Sequence, residues 1–354
     1  MSMKRTIDRS AISFKACCTL FDALIKPIIL YAAPIWTPSL AVIKLMGKEQ
    51  NWLSSLSTNS VPLDTKLASE SLERVHLKFL KWALGVHSKA TNVGVWGESG
   101  RTPLIYSCIK ATLKYYHRLK NLDDNSLVSL AFQEQQLNNL DWGTNIKNII
   151  NNNVNVISTA NGPVLAPTSS TQRNHDINPK TISEIMINLV NKFIKCWENR
   201  KQTASKLSFY NKVKSNFNRE SYLDDSNNFK ARSSLTKLRI SAHDLKIETG
   251  RYAQQPREAR TCDWCYTVLQ NNVVEDETHF LLNCDLYSDQ RRCLIVPPYT
   301  NSRSETTAND TCPLKKFLPS DNNKSHNKLL CTTIRNMFTK RDKFIEEFKK
   351  ANAM

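Results

Sequence analysis

Glycine is scarce, with eight residues in 354, and no GxxxxGK[ST] run occurs, so the chain lacks the loop that cradles nucleotide phosphates. No apolar stretch is both long and unbroken. The most apolar run, Ala16 to Trp36, is interrupted by Asp22, Lys26, Pro27 and Pro34, which argues against a membrane span. The opening MSMKRTIDRS is not followed by a short apolar core and a small-residue cleavage site, so secretion is not expected. Ten cysteines therefore read as thiols of a reducing compartment, where clustered Cys and His favour metal over disulfides. The expected location is intracellular, with the nucleus open to it.

Acidic charge is also in short supply. Lys and Arg number 49 against 32 Asp and Glu, a formal net charge of +17. Such a chain attracts a polyanion through counterion release from phosphates, without any special contact. RNA or DNA is the expected partner and a membrane is not. At this length the chain can bury a real core and make two or three domains.

The densest chemical signal is CDWCYTVLQNNVVEDETHFLLNC, residues 262–284. Cys262, Cys265, His279 and Cys284 are spaced C-x2-C, thirteen residues, then H-x4-C. A tight turn aims the first two sulfurs at one ion, and tetrahedral zinc is the natural occupant of three thiolates and an imidazole. Residues five apart on a straight helix point about 140° apart, so His279 and Cys284 must lie where a short helix starts or breaks. Eight basic residues lie between Lys230 and Arg260, against Asp244, Glu248 and Glu258. A basic arm running into a metal site is a common plan for compact nucleic-acid modules, in which the metal fixes a small fold and the arm touches phosphate. The candidate phosphate contacts are Lys237, Arg239, His243, Lys246, Arg251, Arg257 and Arg260.

The rest reads as mainly α-helical. Leu20, Leu24 and Ile28 follow helical spacing up to Pro27 and suit a core helix that ends in an extended turn. Leu72, Val75, Phe79, Leu80 and Ala83 form one stripe, with Lys78 and Lys81 outward, Gly85 as the stop and His76 as a packing residue. Tyr115 and Tyr116 among lysines fit either single-strand binding or inward packing. Ile146, Ile149 and Ile150, then Ile182, Ile185, Leu189, Phe193 and Trp197, mark two more helices, and Leu329, Leu330, Ile334, Phe338 and Ile345 mark a last one. The expected organisation is a helical thumb-like and connector region over 1–157, a linker over 158–180 and a helical segment over 181–228. The basic arm and CCHC zinc module follow over 229–296, and a tail with a C-terminal helix over 297–354.

Three stretches resemble the C-terminal region of non-LTR (LINE-type) retrotransposon reverse transcriptases. They are LFDALIKPIILYAAPIW (20–36), WGESGRTPL (96–104), and the run from Leu235 to Tyr252 continuing through Glu275–Leu281, Cys284, Tyr287 and Arg291. The resemblance implies a thumb-like helical part and a CCHC zinc segment implicated in binding nucleic acid. WGESGRTPL is read as a structural turn. Tyr222-Leu223-Asp224-Asp225 matches the Y-x-D-D metal box of such a palm, yet its polar flanks cannot bury a hairpin and it follows the thumb-like stretch, so a helix or turn boundary is expected there. Fingers, palm and endonuclease find no counterpart, and without palm carboxylates there is no two-metal site. The reading is a non-catalytic remnant that binds nucleic acid and zinc. Two other roles fit the same residues: an accessory part of a polymerase encoded upstream, and a zinc-dependent protein-interaction adaptor.

Overall fold

The computed structural model describes residues 12–41, 71–138, 141–154, 177–226, 228–295, 314 and 317–351. The described residues are mainly helical and include no strand, only the isolated bridges Ser99 to Arg219 and Thr261 to Val274. The early helices are α1 (Phe14–Leu20), α2 (Lys26–Leu30), α3 (Ala33–Ala41), α4 (Ser71–Leu84), α5 (Asn92–Ser99) and α6 (Ile105–Lys120). Next come α7 (Leu127–Leu137), α8 (Asp141–Val154), α9 (Pro179–Thr203), α10 (Ser208–Val213) and α11 (Tyr222–Asp225). The last are α12 (Phe229–Arg239), α13 (Lys246–Tyr252), α14 (Asp263–Leu269), α15 (Ser288–Ile295) and α16 (Lys324–Ala351).

The chain divides into two compact units that are interleaved in sequence rather than consecutive. One comprises Met1–Thr19, Lys78–Arg101 and Arg200–Met354; the other comprises Leu20–Leu77 and Thr102–Asn199. Of the expected linker, residues 158–176 lie outside those described, while Ile177 is buried and Pro179 already begins α9.

In the second unit α6 packs on α3. Its Tyr116 is buried, with ring contacts to Phe132 and Trp142, so that tyrosine serves the core and is closed to a nucleic-acid base. Ile146, Ile149 and Ile150 of α8 are buried, as are Ile182, Ile185, Leu189, Phe193 and Trp197 of α9, as their 3.6-residue spacing requires. His76 is wholly buried and bonded to Glu73 at 2.9 Å, a packing histidine. Two expected core stripes need correction. Leu24 and Ile28 are exposed, because a π-helical turn at Phe21–Ile25 rotates the chain; the buried face is Phe14, Cys17, Cys18 and Phe21. The turn expected after Pro27 falls at Tyr31 and Ala32, where Ala32 takes φ +52°, and helix lies on both sides of it, since Pro27 and Pro34 occupy the first turns of α2 and α3, where no N–H is needed. Val75 is likewise exposed on α4.

The unit that carries the cysteine cluster has a fully buried acid at its centre. Glu98, at the end of α5, accepts from Arg239 Nε at 2.8 Å and from Tyr222 Oη at 2.8 Å. The stretch expected as a turn, 96–104, begins as the last helical turn of α5 and leaves the helix at Gly100, φ +61°. Tyr222–Asp225 is a single helical turn whose Asp224 pairs with Arg219 and whose Asp225 accepts from Asn327. Gly85, at φ +74°, ends α4 as anticipated. Helix α16 packs along α12 and α15, burying Leu330, Ile334 and Met337.

A buried Cys3His cluster as a candidate metal centre

Cys262 is the first residue of the site, fixed by its N–H bonding to Val273 O at 2.8 Å beside the Thr261–Val274 bridge. It stands immediately before α14, so Cys265 falls in that helix's first turn and both sulfurs face one point. Gln270 in the left-handed region ends α14 and turns the loop back. His279 and Cys284 then bracket a π-helical turn closed by Cys284 N–H to His279 O at 2.9 Å. This resolves the five-residue spacing: an i→i+5 bond brings together two positions that an α-helix would hold apart.

The four ligand atoms lie within 4.8 Å of one another, and all four residues are buried. Cys262 and Cys284 sulfurs are 4.0 Å apart, Cys265 and Cys284 3.8 Å, and Cys265 Sγ is 3.4 Å from His279 Nε2. Sulfurs held tetrahedrally at about 2.3 Å from one ion stand about 3.8 Å apart, so the cage has the dimensions of a metal shell. Cys262 is pulled down to about 4 by hydrogen bonding from Cys284, while burial and then the neighbouring Cys262 sulfur push Cys265 up to about 11. Three buried thiols in contact cannot all ionise unless a cation joins them. His279 turns Nε2 into the cluster, 3.4 Å from Cys265 Sγ, which makes it the ligand atom; its Nδ1 has no hydrogen-bond partner. Among the described residues this is the one such Cys, His or carboxylate cluster.

The three acids before His279 hold the loop in place. Glu275 takes both Arg341 nitrogens, at 2.6 and 2.7 Å, and the Lys246 N–H at 2.7 Å. Asp276 caps His279 N–H at 2.9 Å and pairs with Arg257 at 2.7 Å. Glu277 accepts from Ser241 at 2.9 Å and sits 3.1 Å from His243 Nε2. Phe280 packs between Tyr287 and Phe338, each ring centroid 4.7 Å away.

Those partners change the reading of the basic arm. Arg239 and His243 are corrected outright: both are buried, Arg239 against Glu98 and Glu220 and His243 against Glu277, and neither can reach a phosphate. Burial disfavours the Arg239 charge, but Glu98 and Glu220 outweigh it and hold the guanidinium protonated. Arg260 spans Gly250 to donate to the carbonyls of Ile247 and Gln255. Lys246 pairs with Asp263 at 3.2 Å, Arg251 with Glu248 at 3.3 Å, and Arg257 with Asp276; all three keep some exposure. Lys237 is partly exposed, with no carboxylate within ion-pair distance among the described residues. Cations from elsewhere in the chain escaped the sequence reading. Lys89 and Lys206 come close to Tyr252 only through folding, and no local pattern marks them. No protein-family model matches the chain, and neither a curated protein nor a solved structure matches it.

Proposed function

We propose that the protein binds nucleic acid without catalysing a reaction and that Cys262, Cys265, His279 and Cys284 hold a structural zinc ion. The observation that supports the metal is the cage itself: three sulfurs and one imidazole nitrogen, buried and mutually within 4.8 Å. Zinc is the ion favoured by that donor set, and four protein ligands leave no open position for water or substrate, the arrangement of a structural rather than a catalytic centre. When bound, it supplies the charge that lets three thiols ionise together. The polyanion partner is supported by the net charge of +17. The resemblance to the C-terminal region of LINE-type reverse transcriptases points the same way, toward a remnant of such an enzyme.

One observation favours a second reading. Most arm cations are spent on internal acids, as suits a zinc-dependent protein-interaction adaptor. A salt titration of binding separates the two. Phosphate binding should weaken with a log–log slope of about −0.7 per neutralised phosphate on single strands, or about −0.9 on duplex DNA. An adaptor has no nucleic-acid affinity to lose.

A further inference from the structure

We propose that the chain holds single-stranded nucleic acid on a surface centred on Tyr252, with a base stacked on the phenol ring and neighbouring phosphates on Lys89 and Lys206. This rests on the nucleic-acid reading above and moves its contact surface from the arm to a patch assembled by folding.

Tyr252 is the last residue of α13 and is 55% exposed. Lys206 Nζ donates to its hydroxyl at 2.9 Å and lies 5.2 Å from the ring centroid. These two distances put the ammonium beyond the hydroxyl end of the ring, not above its face. Lys89 Nζ stands 6.0 Å from the same centroid. An exposed aromatic ring with two ammonium groups beside it is the pairing that single-strand binders use, because stacking accepts any base and the cations follow the backbone.

The surrounding charge is positive. Lys206 and Arg251 share one buried carboxylate, Glu248, at 3.4 and 3.3 Å, so that trio keeps one net positive charge. Among the described residues no carboxylate lies within ion-pair distance of Lys89. Lys81 donates to the Ser88 carbonyl at 2.7 Å. His87 registers the field: burial lowers its proton affinity first, then Lys206, with Lys81 and Lys237 adding to the effect and Asp244 opposing it. A duplex keeps its bases stacked inside and offers this ring nothing to stack on, so the committed partner is a single strand.

The test uses the full zinc-loaded chain and fluorescence anisotropy with labelled oligo-dT, oligo-U and a duplex of equal length over a salt series. Tyr252→Ala should weaken single-strand binding about 5- to 150-fold, the loss of one base–aromatic stack, whereas Tyr252→Phe should keep it. Lys89→Ala should flatten the log-salt slope by about 0.7. Both side chains are exposed, so thermal melts should match the wild type. Single-strand affinity unchanged in Tyr252→Ala, or a duplex preferred over the single strand with that variant unaffected, overturns this surface while leaving nucleic-acid binding standing. Failure of the wild-type chain to bind any of the three overturns the broader reading, and this one with it.

Discussion

At the scale of single residues, the side chains that would hold metal are distinct from those that hold the fold. Cys262→Ser removes a sulfur 4.0 Å from that of Cys284 and should lower zinc content from one equivalent to none, with hydrogen-exchange protection lost over residues 261–284; both are read by mass spectrometry. Arg239 tests the correction to the basic arm. Because Glu98 would be left buried without its guanidinium, while Glu220 keeps only Lys214, Arg239→Ala should cost about 3–5 kcal/mol of stability in denaturant melts. Its folded fraction should bind nucleic acid with the wild-type salt slope, whereas a slope lowered by one phosphate would restore Arg239 to the interface. Lys81 offers a pH test. Its ammonium is pushed down to about 8 by burial and then by Lys206, so its neutral fraction grows as pH rises through that value. Near pH 7.5 that fraction is about two-hundredfold above an ordinary lysine's. Brief acetylation at that pH should mark Lys81 early in a peptide map; labelling of Lys81 no faster than of exposed lysines would contradict the burial.

At the scale of elements, the C-terminal helix α16 clamps the metal loop. Arg341 grips Glu275 with two nitrogens, and Glu275 also holds the Lys246 N–H at the start of α13. Arg341→Lys keeps the charge but loses the two-pronged geometry, so zinc should escape to a chelator faster than from wild type; an unchanged release rate would mean the loop stands without the helix. Parts of this architecture were legible in the sequence, for physical reasons. The stripes of α8 and α9 follow 3.6 periodicity on one buried face, and the C-x2-C and H-x4-C halves carry their geometry in their spacing. Leu24 and Ile28 misled because the period of that segment changes at a π-helical turn, which periodicity alone does not reveal.

At the scale of the whole molecule, what stayed hidden was pairing between distant segments. Glu98 in the WGESG stretch and Arg239 in the LRISAH stretch looked like a turn residue and a phosphate contact. Folding places them 2.8 Å apart across a separation of 141 residues, and a lone sequence holds no record of that neutralisation. Lys89, Lys206 and Tyr252 are likewise joined only in three dimensions. The meeting of Cys262, Cys265, His279 and Cys284 was legible because all four lie within one short stretch of chain. The same loop adjoins the start of α13, whose Lys246 N–H bonds to Glu275 at 2.7 Å. The most direct measurement is X-ray absorption on the purified chain with its zinc quantified. The account predicts one zinc per chain, with three sulfurs at about 2.3 Å and one nitrogen at about 2.0–2.1 Å. A chain that stays folded with no zinc, or zinc bound by oxygen ligands, would contradict it.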